Sequence, residues 1–242
     1  MELICAIDLL DGGAVRLVQG DYRRRVAAGT DAAGLARRFV AAGCRRLHVV
    51  DLAGARAGRP MQLDLVGKVV TSARSMAPGV VVEAGGGLRR PADVDRVLER
   101  ADEALLGTSA IEDADFLRTC AADHPGRIVV SLDLRDGRPA LDGWLRMGSA
   151  DASELAQRLV DDGASRLVVT DTARDGTLAG PNLALLGRLR AAVPQAVLVA
   201  AGGIGSIDDL RQVREVGCDG AVVGLALLTG AIDPAEAMAV LA

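Results

Sequence analysis

Two aspartates occupy matching positions in a sequence that repeats itself. Asp8 lies in IDLLDG (7–12), and Asp133 lies in LDLRDG (132–137). If these segments are equivalent parts of a duplicated fold, the two aspartates face each other across one site. Two carboxylates that flank a substrate can act as general base and general acid when their surroundings separate their pKa values. The alternative is that these aspartates only cap loops, which Asp does well.

A third aspartate, Asp175, stands outside the repeat. Residues 35–51 (LARRFVAAGCRRLHVVD) align with 155–171 (LAQRLVDDGASRLVVTD) at an offset of 120 residues, so Asp51 corresponds to Asp171. We assign that matched pair mainly to structure. The same offset places Ala55 opposite Asp175. Because the repeat does not require an acid there, Asp175 is a candidate for chemistry.

Glycine-rich turns are also duplicated. VVEAGGGLR (81–89) matches VLVAAGGIG (197–205), and ALLGTSAI (104–111) matches AVVGLALL (221–228). Glycine at the end of a strand lets backbone N–H groups approach an anion without a Cβ in the way. Tight turns use the same residues, but duplication favours two phosphate sites and a substrate with a phosphate at each end. The predicted sites are Gly86, Gly87, Gly107 and Thr108 in the first half, and Gly202, Gly203 and Gly224 in the second.

The elements that position these residues alternate along the chain. Amphipathic helical patterns separate short apolar runs, which suit parallel strands covered on both faces. We therefore predict a (β/α)8 TIM barrel of α/β class, in which active sites lie at the carboxyl ends of the strands. A doubly wound sheet is the alternative, but it does not explain the repeat. We expect one barrel over 1–242, with half-barrels of approximately 1–124 and 125–242. The predicted strands are 3–7, 47–50, 80–83, 103–106, 128–132, 167–170, 196–199 and 220–223.

Composition excludes several classes of partner. The formal net charge is −4, which gives no electrostatic reason to expect nucleic acid or an anionic membrane. No apolar run approaches the roughly 20 residues that a membrane helix needs. The four cysteines are scattered without paired spacing. Disulfides are one interpretation, but no signal peptide precedes them, so we expect free thiols and a cytoplasmic protein. We also expect the protein to be a monomer.

Other chemistries find little support in the sequence. His48 and His124 lie far apart, with no carboxylate at metal-ligand spacing, so no metal is expected. His48 lies inside a predicted strand and is interpreted as a packed or supporting histidine. No GxSxG motif or Cys–His pair indicates a covalent nucleophile. The glycine turns lack GxGxxG, so no nicotinamide or flavin cofactor is expected.

Five segments together resemble one known family, the ProFAR isomerases of histidine biosynthesis, and the likeness covers essentially the whole chain. That family carries out an Amadori rearrangement, from aminoaldose to aminoketose, on a ribonucleotide with two phosphates. It needs no metal or organic cofactor. The sister cyclase of the same pathway shares the duplicated barrel but is less similar. The segments are AIDLLDGGAVRLVQGDY (6–22), LHVVDLAGARAGRP (47–60), GGGLR (85–89), LDLRDG (132–137) and TDTARDGTLAGPN (170–182).

The resemblance implies roles for individual residues. Asp8 is implied as the base that removes the C2 proton, and either Asp133 or Asp175 as the acid that opens the ribose ring. Thr170 is implied to hold the sugar hydroxyls. The implied binding residues are Arg16, Arg89, Gly176 and Thr177.

One segment departs from the family pattern. Where relatives commonly carry Arg-Gly-Trp, this chain has Asp142–Gly143–Trp144, which puts the clamping of the substrate by this loop in doubt. Trp144, the only tryptophan, is a candidate to stack on the aminoimidazole ring, and a packing anchor is the alternative.

Three other functions stay open at this point. Some isomerases of this family, the phosphoribosyl isomerase A branch, also accept phosphoribosylanthranilate from tryptophan synthesis. AGGGLR (84–89) favours the single-substrate form slightly. The cyclase would need a glutaminase partner. A catalytically silent barrel that binds a phosphorylated nucleotide would need none of Asp8, Asp133 and Asp175, because carboxylates repel anions.

Overall fold

A closed barrel of parallel strands forms the centre of the molecule. The structure is a computed structural model that describes residues 1–27 and 31–241. Within those residues eight strands pair in the order β1, β4, β5, β6, β7, β10, β11 and β12, and β12 returns to β1. This confirms the predicted TIM barrel. The barrel strands are β1 (Glu2–Leu10), β4 (Arg46–Asp51), β5 (Val81–Gly85), β6 (Glu103–Leu106), β7 (Ile128–Arg135), β10 (Arg166–Asp171), β11 (Val197–Ala201) and β12 (Gly220–Val223).

Helices surround the barrel and begin at side chains that cap them. Asp31, Asp151 and Ser206 accept hydrogen bonds from the first-turn amides of α1, α7 and α9, as their residue types predict. The helices are α1 (Ala32–Ala41), α2 (Leu52–Ala57), α3 (Leu63–Met76), α4 (Pro91–Leu98), α5 (Thr108–Glu112), α6 (Ala114–Asp123), α7 (Ala152–Asp161), α8 (Leu183–Ala192), α9 (Ile207–Glu215), α10 (Leu225–Thr229) and α11 (Pro234–Leu241).

Two hairpins extend from the barrel, one in each half, and the sequence analysis did not predict them. β2 (Gly13–Val18) and β3 (Asp21–Ala27) follow β1, whereas β8 (Arg138–Leu141) and β9 (Arg146–Met147) follow β7. β1 turns into β2 at Asp11–Gly12, with φ of 52° and 82°. β7 turns into β8 at Asp136–Gly137, with φ of 52° and 74°. Positive φ at both central residues defines a two-residue hairpin turn, for which Asp-Gly is a strong signal.

The pleat of each strand decides which residues enter the barrel. Ile4 and Ala6 of β1 belong to a small apolar cluster inside the barrel. Cys5 and Ile7 belong to the large core between the sheet and the helices. Asp8 therefore points inward because it continues the alternation of Ile4 and Ala6. The same spacing turns Asp133 inward after Val129, and Thr170 inward after Val168.

The two halves repeat a structural detail beside the barrel mouth. Asp51 accepts hydrogen bonds from the amides of Gly54, Met61 and Gln62. Asp171 accepts bonds from the amide of Ala173 and the side chain of Asn182. Both aspartates thus organise the loop that follows their strand, which agrees with the structural role assigned to them.

The glycine pairs of the two halves pack against those same aspartates. A Cβ built on Gly86 would lie 2.2 Å from the carbonyl oxygen of Asp51. A Cβ built on Gly202 would lie 2.7 Å from the carbonyl oxygen of Asp171. Each turn therefore needs glycine because the backbone of the neighbouring strand end leaves no room for a side chain.

All four cysteines are buried and free. No helix within residues 1–27 and 31–241 is long and apolar enough to cross a membrane.

Candidate active site

One cavity opens at the carboxyl ends of the barrel strands and collects most of the predicted site residues. Asp8, Asp133, Asp175 and Thr170 all line it, and each comes from a different strand or loop. The strands bring together residues that are up to 167 positions apart in sequence, as the barrel topology requires. The other predicted residues on its wall are Arg16, Gly86, Gly87, Arg89, Gly107, Thr108 and Trp144.

Arg16 connects two of the three candidate carboxylates. It lies on β2, and the β1–β2 hairpin directs its guanidinium back over the barrel mouth. Nη1 donates to Asp8 Oδ2 at 2.7 Å, and Nη2 donates to Asp175 Oδ1. All three side chains are nearly buried, with exposed fractions of 11–12%. One arginine thus holds the candidate base and a candidate acid on the same side of the cavity.

Asp175 is the acid whose surroundings favour a proton. Burial raises the pKa of Asp175, and although Arg16 opposes this, the nearby carboxylates of Asp8 and Asp133 raise it further. The net pKa lies above that of an ordinary aspartate. Burial lowers the pKa of Arg16, but Asp175 and Asp8 more than compensate, so the guanidinium stays charged. A buried carboxyl with a raised pKa is suited to proton donation.

Asp133 has a different environment from Asp175. Its Oδ1 accepts a hydrogen bond from Ser131 Oγ at 2.9 Å, and its Oδ2 accepts one from Trp144 Nε1 at 2.7 Å. Indole N–H can only donate, so Asp133 presents an acceptor oxygen to it. These two donors fix the orientation of the carboxylate.

Trp144 adopts an unusual backbone conformation. Its φ is +70°, in the left-handed region that costs an ordinary residue on the order of 1–2 kcal/mol. The indole lies against Gly20, where an added Cβ would be 2.3 Å from Cε3 of the ring. The contact with Gly20 and the bond to Asp133 together hold the strained residue, which bridges the two hairpins over the cavity. Such strain concentrates at functional sites.

The β2–β3 hairpin also contacts the loop that carries Asp175. The amide of Gln19 donates to the carbonyl of Asp175 at 3.1 Å, and the Gln19 side chain donates to the carbonyl of Ala173 at 2.7 Å. Gly176 lies beneath the hairpin, where an added Cβ would be 2.7 Å from the Leu17 carbonyl oxygen. Thr177 donates its hydroxyl to Arg174 within the loop. Gly176 and Thr177 therefore shape the loop and lie outside the cavity lining.

The first-half glycine turn faces the cavity. A Cβ built on Gly107 would meet nothing within 4 Å, so this glycine borders open space. No side chain caps the start of α5, where Thr108 and Ser109 also line the cavity. Arg89 lies on the same wall. Uncapped amides, a hydroxyl and a guanidinium are the donors that a phosphate group needs.

The second-half turn is placed differently. Gly202, Gly203 and Gly224 do not line the cavity. A Cβ built on Gly224 would lie 2.8 Å from Cζ of Arg16, so the guanidinium separates this glycine from the cavity. Arg16 Nε is buried and has no hydrogen-bond partner within the described residues. Arg16, which pairs with Asp8 and Asp175, therefore also borders the second-half glycine turn.

Asp142 stands at the position where the resemblance leads us to expect an arginine. Its carboxylate pairs with two cationic side chains. Its carboxylate accepts from Arg89 at 2.5 Å and from Arg146 at 2.8 Å, and its amide donates to Thr108 Oγ1 at 2.8 Å. Burial raises the pKa of Asp142, but the bonds from Arg146 and Arg89 outweigh it and lower the net pKa. Asp142 is thus an anion held beside the first-half glycine turn.

Sequence reasoning did not assign Gly20, Tyr22, His48 or Ser131 to the cavity wall, where all of them lie. Ser131 and His48 could have been found from the period of two along their strands, which turns them inward with Asp133 and Val50. Gly20 and Tyr22 belong to the unpredicted hairpin. The Asp-Gly turn was the available signal for that hairpin.

Comparison with known proteins identifies the family. The family described as "Histidine biosynthesis protein" matches residues 2–233. The chain belongs to this family. A relative from Sorangium cellulosum is 45% identical over 240 residues, which cover 98% of each protein. A relative from Chloroflexus aurantiacus is 42% identical over 241 residues, which cover 99% of this chain and 98% of the relative. Both relatives are named 1-(5-phosphoribosyl)-5-((5-phosphoribosylamino)methylideneamino) imidazole-4-carboxamide isomerase. That name is the full form of ProFAR isomerase.

Proposed function

We propose that this protein is an aldose–ketose isomerase that acts on ProFAR in histidine biosynthesis. The observation that carries the proposal is that Asp8, Asp133 and Asp175 share one cavity, where Arg16 joins Asp8 to Asp175. Three carboxylates at a phosphate-binding mouth serve proton transfer, since binding alone would not benefit from them. The names of the relatives support the same reaction.

The chemistry begins with ring opening. Asp175 gives its proton to the ribose ring oxygen as the bond from that oxygen to C1 breaks, and the adjacent nitrogen lone pair forms a C1=N⁺ bond. Asp175 is suited to this step because burial raises its pKa, and a raised pKa favours the protonated form that an acid needs. Asp133 is the alternative donor, but both of its carboxylate oxygens already accept hydrogen bonds, one from Ser131 and one from Trp144.

The second step transfers a proton from carbon. Asp8 removes the C2 proton, and the released electron pair forms C1=C2 and neutralises the nitrogen. The enaminol becomes a ketone when the C2 hydroxyl loses its proton and C1 gains one. Thr170, which is buried at the cavity wall, is placed to orient the sugar hydroxyls. General acid–base catalysis of this kind contributes roughly 10²–10⁴-fold to the rate.

Binding is proposed to use both glycine turns. The first-half turn, with Gly107, Thr108 and Arg89, holds one phosphate directly at the cavity wall. A phosphate beside Gly224 would meet Arg16, whose buried Nε has no hydrogen-bond partner among residues 1–27 and 31–241. The second phosphate is therefore proposed to contact Arg16 as well as Gly202 and Gly203.

We also propose that the protein acts as a cytoplasmic monomer. Its buried free thiols are compatible with a reducing compartment. The fold itself is proposed to consist of half-barrels 1–124 and 125–242, supported by the paired hairpins and the matching Asp51 and Asp171 loops.

Steady-state kinetics on two substrates test the proposal. The purified protein should convert ProFAR without ammonia, glutamine or a second protein, since no step uses them. Phosphoribosylanthranilate should be a poor substrate, because its aglycone carries a carboxylate and Asp142 adds negative charge at the mouth. No turnover of ProFAR would contradict the isomerase and leave either a silent binding barrel or the cyclase, which needs a nitrogen donor.

A further inference from the structure

A buried ion pair lies beneath the catalytic carboxylates. His48 of β4 and Glu83 of β5 are aligned in the strand register, and His48 Nδ1 lies 2.5 Å from Glu83 Oε1. Glu83 is completely buried, and His48 is 8% exposed. His48 lines the same cavity as Asp8 and Asp133. None of the proton transfers proposed above uses this pair.

Glu83 requires a cation. Its second oxygen, Oε2, has no hydrogen-bond partner within the described residues, and Arg46 Nη1 is 3.7 Å away. Arg46 itself donates to Glu103 at 2.5 Å and to Glu2 at 3.0 Å. The guanidinium is therefore shared among three acidic groups. Burying a charged carboxylate with one oxygen unpaired and only a shared guanidinium nearby is unfavourable in free energy. A protonated His48 is therefore the partner that stabilises Glu83.

The position of His48 brings that positive charge close to the site. The register pairs Ala6 of β1 with His48, and Asp8 with Val50, so His48 lies one inward-facing position below Asp8. Its Nδ1 is occupied by Glu83, which leaves Nε2 as the nitrogen that can face the cavity. In the charged ring both nitrogens are donors, and the ring presents a cation to the carboxylates above it.

We propose that His48 is a positioning residue that, supported by Glu83, presents a positive charge to the carboxylates of Asp8 and Asp133 at the base of the site. Within the pair, Glu83 is fully buried and does not line the cavity, whereas His48 does line it. This role rests on the proposed isomerase function, because Asp8 must be ionised to accept a proton from carbon.

The electrostatic surroundings of His48 agree with this assignment. Burial lowers the pKa of His48, but the bond and charge of Glu83 raise it, and Asp8 and Asp133 raise it further. The net pKa lies above the usual histidine value. The charged groups that surround the pair are Glu2 and Asp8 on β1, Arg46 on β4, Glu103 on β6, Asp133 on β7, and Arg16 and Asp175 above the cavity.

The first test measures protonation without any assay of activity. The chain has two histidines, so His124→Asn leaves His48 as the only imidazole, and its titration can be followed by NMR with isotope-labelled histidine. The midpoint should lie above the ordinary value of about 6.5 and should fall when Glu83→Gln is added. A midpoint at or below 6.5, or one that Glu83→Gln does not change, would overturn the proposal.

The second test follows kcat/KM against pH. Removal of the cation in His48→Asn takes away an attraction that favours a charged carboxylate, so the acidic limb should move to higher pH by about one unit or more. Activity would then fall about tenfold on the acidic side and recover at higher pH. Glu83→Gln removes a negative charge together with the support of His48, so its limb should move less than that of His48→Asn, and His124→Asn alone should not move it. An even loss of activity at all pH values in both variants would indicate a merely structural role and refute the proposal.

The two tests separate this inference from the proposed function. If the wild-type protein shows no isomerase activity, the function fails while the NMR titration still reports on the ion pair. If His48→Asn does not fold, as judged by circular dichroism, Glu83→Gln and the titration of the single-histidine protein still decide the outcome.

Discussion

The contact between Gly20 and Trp144 gives the most direct test of how the two hairpins shape the site. In Gly20→Ala, the new Cβ would lie 2.3 Å from Cε3 and 2.8 Å from Cζ3 of the indole. Real atoms do not approach so closely, so the ring must move. Because Trp144 Nε1 donates to Asp133 at 2.7 Å, a displaced ring loses that bond and Asp133 loses its orientation.

The magnitude follows from two separate contributions. Gly20 has φ of +71°, so any alanine there costs on the order of 1–2 kcal/mol of stability. The hydrogen bond to a charged group is worth about 1.5–3 kcal/mol. If that bond is needed at the transition state, its loss should lower kcat/KM by roughly 10- to 150-fold.

Gly12→Ala is the matched control. Gly12 also has positive φ, at +82°, but a Cβ there would meet nothing within 4 Å. It should lose stability like Gly20→Ala but keep its activity. Trp144 is the only tryptophan, so its fluorescence reports the ring directly: emission should move to longer wavelength in Gly20→Ala alone. Equal emission and equal kcat/KM in the two variants would refute the reasoning.

Three further predictions concern the carboxylates and the phosphates. Asp8→Asn should lower turnover by roughly 10²–10⁴-fold with binding largely kept, and activity near wild type would remove Asp8 as the base. Asp175→Asn should abolish the alkaline limb of the pH–rate profile, whereas loss of that limb in Asp133→Asn alone would make Asp133 the acid. Since the folded-state pKa of Asp175 is raised, wild type should lose stability relative to Asp175→Asn as pH rises through that pKa, which urea unfolding at several pH values checks. A crystal soaked in phosphate should hold an anion beside Gly107 and another beside Gly203, and a turn left empty by bound substrate would contradict binding at both ends.

The barrel and its catalytic face could be predicted because local patterns encode them. Apolar runs identified all eight strands, and the repeat placed Asp8 and Asp133 at equivalent ends. The strands proved longer than predicted, since β1 extends to Leu10 and β7 to Arg135. A single aspartate, Asp8 or Asp133, interrupts each apolar run and concealed the extension, although Leu9, Leu10 and Leu134 beyond it are buried and the strands pair with β2 and β8 there.

Long-range contacts could not be predicted. Nothing local in the sequence indicates that Arg16 reaches Asp175, 159 residues away, or that Gly20 receives the ring of Trp144. The different hydrogen-bond partners of Asp133 and Asp175, on which the choice of the proposed acid rests, arise from those same contacts. Sequence alone therefore did not decide which of the two aspartates is the acid.

The packing of the glycine turns against Asp51 and Asp171 has a consequence for how this barrel can change. Each turn locks the ends of two neighbouring strands, β4 with β5 and β10 with β11, through backbone atoms that a new side chain would displace. The two hairpins after β1 and β7 extend outward from the barrel strands instead. Mutations that alter substrate selectivity should therefore accumulate in the hairpins. Substitutions there can change the contacts with a substrate, while the packed strand ends preserve the reaction.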